Sequence, residues 1–343
     1  MKVLVTGGTG FLGLYIVERL LARGETVRIL ARHSTPEIER PEIEFCQGDI
    51  RDRGAVLAAC RGMDVVIHTA ALAGIELRYE PFYQTNVVGT QNILTGCRQG
   101  GVQRLIFTSS PSVVDEGKPL EGIDETFPYP KRQLSYYSKS KGLAERLVLQ
   151  ANGSPLETPY EGVLRTCAIR PRLIWGPRDR QLIPRLVEKA RKGELIRIGN
   201  GKNRLDMTYV ENAADAHLQV MDALAADKPV AGNVYFISQG EPINCWEWID
   251  RILVMVGFPP VKKRMSYRTA YGVGFVYEMI YRLFRISGEP PMTRFLATQL
   301  AQSYWFDVSK ARRDFGYSPA VSTEEGIRRL AADLKKRCGQ DQG

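Results

Sequence analysis

The chain has 343 residues, 44% of them apolar and 25% charged, enough to bury a full core in one large globular domain with a smaller appendage. Its formal net charge of +9 suits an anionic cofactor or an acidic, lipid-like substrate; the basic residues are spread out, short clusters such as Lys262-Lys-Arg264 aside, and no nucleic-acid motif accompanies them, which argues against a nucleic-acid partner. Six cysteines (Cys46, Cys60, Cys97, Cys167, Cys245, Cys338) without a C-x-x-C pair, and only three histidines, indicate neither a disulfide frame nor a metal site.

Lys2-Val-Leu-Val-Thr6 is a short apolar, β-rich run, followed at once by Gly7-Gly-Thr-Gly10-Phe-Leu-Gly13 and an amphipathic stretch from Phe11 to Arg23. That order is strand, glycine turn, helix. A bound phosphate needs backbone N–H groups at close approach and the positive end of a helix dipole, so side chains must be absent where the backbones meet. Gly7, Gly10 and Gly13 supply that absence, and the context favours dinucleotide binding over a merely structural turn. A strand carrying this turn at the first residues leaves no room for a signal peptide, which predicts a cytoplasmic site of action.

Thr26–Ala31 reads as the second strand, and its end bears on the choice of cofactor. An acidic residue there would hold the adenosine ribose hydroxyls and repel a 2′-phosphate; this chain has Ala31 and then Arg32. That favours NADP(H) over NAD(H), the alternative being an exposed loop arginine. Glu44–Gln47 forms a third strand leading to Gly48-Asp49-Ile50, and Asp64–His68 a fourth leading to Thr69-Ala70-Ala71. Strands alternating with helices at this spacing imply a Rossmann-type, doubly wound parallel sheet, with ligands at the carboxyl ends of its strands.

A long helix from Pro81 to Gly100 carries Asn86, and Arg104–Ser110 makes the fifth strand. The stretch from Pro111 to Pro130 is too irregular for an element and lies where a substrate mouth belongs. From Leu134 to Gln150 the chain is helical and places Tyr137 and Lys141 one turn apart on one face. A ketone receiving hydride needs a proton donor at its oxygen. A phenol suits this once a neighbouring ammonium draws its pKa down, and Ser110 at a strand end is placed to orient the same oxygen. Tyr-x-x-x-Lys alone decorates many helices; the order glycine turn, strand-end serine, Tyr-x-x-x-Lys makes it specific.

With these motifs in hand the chain resembles an extended short-chain dehydrogenase/reductase over nearly its whole length. The resemblance rests on Thr6–Gly13, Gly48-Asp49-Ile50, Thr108–Val113, Tyr137-x-x-x-Lys141, Arg170–Pro177 and Tyr209–Ala213. Within that family it is similar to the 3β-hydroxysteroid dehydrogenase branch. Arg170–Pro177, Phe236–Pro242, Gly288–Phe295 and Arg312–Tyr317 look like bacterial 2-alkyl-3-oxoalkanoate reductases of long-chain olefin and β-lactone biosynthesis. The resemblance implies a catalytic set of Ser110 (rather than Ser109), Tyr137 and Lys141. It further implies cofactor contacts from Gly7, Gly10, Phe11, Leu12, Gly13, Arg32, Asp49, Ile50, Ala70, Ala71, Tyr137, Lys141 and Pro171, and a homodimer through the helices holding Asn86 and Tyr137. Association with neighbouring pathway enzymes follows if the pathway is right. Nucleotide-sugar relatives carry a phosphate-binding arginine in the slot that here holds Leu205, with Arg204 beside it facing elsewhere, so a UDP-sugar is disfavoured.

The resemblance divides the chain into a dinucleotide-binding domain, 1–171 with returning segments about 206–237, and a substrate-binding portion, 172–205 and 238–335. Three functions compete: NADPH-dependent reduction of a 2-alkyl-3-oxoalkanoate, a 3β-hydroxysteroid or sterol-carboxylate dehydrogenase, and a non-catalytic NADP(H)-binding regulator. In the second portion, 271–286 reads as an apolar and aromatic helix with a polar stripe of Glu278, Arg282 and Arg285. It is too short to span a membrane, and three readings stand: a core helix, a lid over a greasy substrate, or an interfacial helix in peripheral membrane contact.

Overall fold

The computed structural model describes residues 1–226 and 228–340, with side chains through Lys336, so Cys338 lies outside the described side chains. Its main sheet has the order β3-β2-β1-β4-β5-β8-β13, every neighbouring pair parallel: β1 (Lys2–Thr6), β2 (Thr26–Ala31), β3 (Ile43–Gln47), β4 (Val65–His68), β5 (Arg104–Thr108), β8 (Val163–Pro171) and β13 (Val234–Ile237). The short β7 (Ser154–Pro155) adds an antiparallel edge to β8. Both faces are covered by helices, which is why β4 is a continuous buried run rather than an alternating one. On one face lie α1 (Phe11–Ala22) and α7 (Val210–Ala225); on the other, α2 (Arg53–Cys60), α4 (Gly89–Gly100) and α5 (Tyr136–Gln150).

The chain builds outward from β1 to β3, then returns across β1 to β4. At that reversal neighbouring connections leave on opposite faces and a crevice opens at the strand ends, the place where such sheets hold ligands.

The second body is a four-stranded sheet, β14 (Ile243–Asn244), β11 (Arg204–Leu205), β16 (Tyr304–Phe306) and β6 (Leu120–Ile123), with small pairs β9 (Ile174–Trp175) with β12 (Thr208–Tyr209) and β10 (Arg197–Ile198) with β15 (Arg264–Met265). Around it pack α6 (Leu182–Arg191), α8 (Cys245–Met255), α9 (Tyr267–Leu283), α10 (Arg294–Ala301) and α12 (Thr323–Gln340), while α11 (Ser309–Phe315) packs back on β13 and α7 of the main sheet.

Three expectations are corrected here. The stretch 111–130 is not without elements: Pro111–Val114 is a 3-10 turn and β6 pairs with β16, a partner too distant in sequence to be inferred locally. The helix expected over 81–100 is α3 (Tyr79–Phe82), a π-turn over Tyr83–Val88 and then α4; the wider turn carries Asn86, whose side chain accepts from Leu72 N and donates to Leu72 O and Ser140 Oγ. The third concerns α9, whose Glu278 is buried rather than part of an exposed polar stripe.

Candidate active site

The floor of the site is the junction of β1, α1 and β4. Gly7 has φ 72°, a left-handed conformation, and a Cβ there would meet Ala70 N at 2.9 Å. At Gly13 a Cβ would lie 2.1 Å from the Gly7 carbonyl oxygen, so helix and turn touch backbone to backbone. Gly10 caps α1 without any side chain on the first-turn N–H groups at Phe11 and Leu12, and its own N–H donates to Gly7 O at 2.9 Å. An uncapped helix start behind a cradle that any side chain would fill fits a pyrophosphate. Beneath it, Thr6 Oγ1 meets His68 Nδ1 at 2.7 Å, and His68 Nε2 meets Thr90 Oγ1 at 3.1 Å. Burial, with the Lys141 charge nearby, pushes the His68 pKa down to about 3, so it is a neutral strut between the end of β1 and helix α4.

At the end of β2 Arg32 is exposed, and its carbonyl accepts from Gln47 Nε2. Asp49 is held by Arg51 through Nε (3.0 Å), the outer guanidinium nitrogen (2.7 Å) and the backbone N–H (2.9 Å); that bonding, with Arg32 adding its charge, keeps the carboxylate pKa below its usual range. Arg51 is a second guanidinium here that the motif reading missed. Ile50 is buried against Gly89, Ala70 donates to Thr6 Oγ1, Ala71 is exposed, and Pro171 closes β8.

The end of β5 and the first turns of α5 bring Ser110, Tyr137 and Lys141 to one side of the sheet. Ser110 adopts extended backbone, caps the 3-10 turn by accepting from Ser112 N, and lies near enough to the Tyr137 hydroxyl to pull its pKa down against burial. Ser109 turns the other way and lies buried against the Glu145 carboxylate. Helix α5 starts where Ser135 accepts from Ser138 N, and that cap sets the phase that turns Tyr137 toward Ser110.

One expected relation is not what the structure shows. Lys141 is buried, donates to the Thr108 carbonyl at 2.6 Å and sits 4.0 Å from the Phe107 ring centroid. Burial raises the Tyr137 pKa, and the force opposing it comes from Ser110 rather than Lys141. The lysine is itself driven down to about 7 by burial, with Glu145 working against that, so its charge is only partly held near neutrality.

Behind Lys141 stands a pair that the sequence did not reveal. Glu145, one further turn along α5, takes both Arg170 Nε (2.9 Å) and an outer guanidinium nitrogen (2.6 Å) and accepts from Tyr129 OH at 2.5 Å; acid and guanidinium are completely buried. Burial favours the neutral acid, yet Arg170 outweighs it and holds the Glu145 pKa below the ordinary value. The visible signal was the spacing Tyr137, Lys141, Glu145; nothing local identified Arg170 as the partner.

A model of the 3-beta hydroxysteroid dehydrogenase/isomerase family matches residues 4–266. The chain belongs to that family. Among its relatives, a 2-alkyl-3-oxoalkanoate reductase of Stenotrophomonas maltophilia is 45% identical over 97% of this chain and 99% of its own. A sterol-4-alpha-carboxylate 3-dehydrogenase (decarboxylating) of Mus musculus is 36% identical over 96% and 89%. The solved UDP-glucose 4-epimerase of Thermotoga maritima superposes with a TM-score of 0.75 over 98% of this chain and all of its own, at 22% identity, which establishes the shared fold alone. As a member of the 3-beta hydroxysteroid dehydrogenase/isomerase family, this chain is an oxidoreductase. Arg204 donates to the Pro242 carbonyl and Leu205 is buried in β11.

Proposed function

We propose that this protein reduces the 3-keto group of a 2-alkyl-3-oxoalkanoate, using NADPH held in the glycine cradle, as a cytoplasmic step of olefin or β-lactone biosynthesis. The placement of Ser110 at the end of β5 against the first turns of α5, which carry Tyr137 and Lys141, carries the reductase reading; similarity to the 2-alkyl-3-oxoalkanoate reductases over the full chain supports the substrate class. The phosphates would rest on the N–H groups of Gly10–Gly13, with Arg32 and Arg51 beside the adenosine ribose, where a 2′-phosphate would find cations rather than a free carboxylate. The reduced nicotinamide, when bound, supplies a hydride. Tyr137 donates its hydroxyl proton to the ketone oxygen, its raised pKa keeping that proton in place until charge develops there. Ser110 donates to the same oxygen and orients it, while Lys141, donating to the Thr108 carbonyl, holds the end of β5 in place and adds positive charge only where it is protonated, below about pH 7.

The test is nicotinamide absorbance with NADP⁺ or NAD⁺ and either a long-chain 2-alkyl-3-hydroxyalkanoate or a 3β-hydroxysteroid. Turnover of the branched hydroxy acid with NADP⁺ supports the proposal. Turnover of the steroid alone assigns the chain to its sterol-oxidising relatives, and binding of NADPH without turnover of either alcohol supports a regulator.

A further inference from the structure

Among the described residues two arginines are buried, Arg170 and Arg172, one on either side of Pro171 at the carboxyl end of β8. Arg170 is closed by the Glu145 carboxylate on two of its nitrogens. Arg172, only 9% exposed, has no such partner. Its one side-chain hydrogen bond runs from an outer guanidinium nitrogen to Gln299 Oε1 at 2.6 Å, its Nε is buried without a partner, and no described carboxylate forms an ion pair with it. Burial pushes its pKa below the ordinary value, as expected of a guanidinium that has left water without gaining a counter-ion. Asp115 and Asp206 act on it from a distance, but both are engaged: Asp115 accepts from Gly117 N and Gln299 Nε2, each at 2.7 Å, and Asp206 from Phe306 N at 2.8 Å. An isolated buried charge is costly, and a buried group left unsatisfied in this way calls for a partner from outside the chain.

The guanidinium is also fixed in place. The Arg172 backbone N–H donates to Ile237 O at 3.1 Å and its carbonyl accepts from Thr208 Oγ1 at 2.8 Å, while the head lies 5.2 Å from the Tyr304 ring centroid. It stands at the edge where Ser110 stands. β5 and β8 run side by side with Thr108 opposite Ile169, and Ser109 N donates to Ile169 O at 2.7 Å, so Ser110 and Arg172 leave the carboxyl ends of neighbouring strands. Beyond that edge they are linked: the 3-10 turn capped by Ser110 ends at Asp115, which accepts from Gln299, which in turn accepts from Arg172. Gln299 belongs to α10 and Tyr304 to β16, so the guanidinium lies where the second body closes over the strand ends, the place where such sheets hold ligands.

We propose, resting on the reductase reading, that Arg172 is the seat of the substrate's carboxylate, its unpartnered Nε–H and its charge receiving the acid group and so fixing the keto carbon, two bonds away, against Ser110 and Tyr137. The substrate must then be a free acid. An ester or thioester brings no charge to the guanidinium, and a 3β-hydroxysteroid without a carboxyl group leaves it unpaired, so the site discriminates against each of them.

The experiment compares a long-chain 2-alkyl-3-hydroxyalkanoate with its methyl ester under NADP⁺, in the parent chain, Arg172→Gln and Arg172→Lys. The parent should turn over the acid with a kcat/KM about thirtyfold to a hundredfold above that of the ester, the difference lying mainly in KM. Arg172→Gln should bring the acid down to the level of the ester, and Arg172→Lys, which keeps the charge without the planar fork, should fall between them. NADPH titration shows that the variants are folded, and the parent's own acid-to-ester ratio needs no variant. Calorimetric titration of the hydroxy acid into the NADPH-loaded protein makes the same comparison without turnover. Equal turnover of acid and ester by the parent, or an acid-to-ester ratio that survives Arg172→Gln, overturns the proposal and leaves the reductase reading intact. Turnover of neither compound by the parent sinks the reductase reading, and calorimetry then decides for Arg172 separately: weaker acid binding in Arg172→Gln sustains the carboxylate seat, while equal binding, or none in the parent, overturns it.

Discussion

Tyr137 and Lys141 have different jobs, and the structure separates them. Under the proposed mechanism Tyr137→Phe keeps the ring and removes the hydroxyl that would donate the proton; kcat should fall about a thousandfold while titrated NADPH binding holds. Lys141 makes a distinct prediction through pH. Below about pH 7 the lysine is protonated in folded and unfolded chain alike, and its burial penalty is fully present. Between about 7 and its ordinary 10.5 the unfolded chain keeps a proton that the folded chain has lost, so stability rises with pH through that window. Denaturant titrations should show a slope reduced by up to about 1.4 kcal/mol per pH unit in Lys141→Met relative to the parent chain. Arg32→Glu should reverse the cofactor preference, weakening NADPH about tenfold to a hundredfold relative to NADH, read from Kd values for the two reduced dinucleotides.

At the scale of elements, the turn between β1 and α1 leaves no room for a methyl group at Gly13. Gly13→Ala should cost about 1–3 kcal/mol of stability and abolish dinucleotide binding, because the Cβ can be accommodated only by moving α1 away from Gly7; thermal melts and NADPH titration check both. This turn, β2 and the phase of α5 were legible in the sequence, since each is set by residues close in the chain: glycines at a close approach, an unbroken apolar run, a serine cap. What was not legible depended on distant partners. β6 exists because β16 comes to lie beside it. The Glu145–Arg170 pair needs α5 and β8 to meet. Periodicity gave which residues of α9 share a side, yet not which side turns inward, because that was decided by Gly274 admitting the Thr293 backbone and by Arg294 claiming Glu278.

For the whole molecule, the interleaving of the two bodies matters more than their separate designs. Residues 1–171 end at β8, and the strand that covers its open side, β13, arrives only after the excursion through β9 to β12 and α7. A fragment of residues 1–171 should therefore be largely insoluble when expressed beside the full chain, with the soluble fraction as the measure: β8 would present an unpaired edge, and α1 would lose the helix that packs on it.

The same late strand gives the protein a characteristic birth. While it is being synthesised, six strands of the main sheet can assemble with an exposed row of N–H and C=O groups along Ala168–Pro171, and no local segment can close it. Closure waits until Ile237 has left the ribosome, at about 5–20 residues per second several seconds after Pro171. Through those seconds the nascent chain is open to pairing with a neighbour on the same messenger, so its yield in a cell should depend on how quickly that edge is sheltered as well as on the stability of the finished fold.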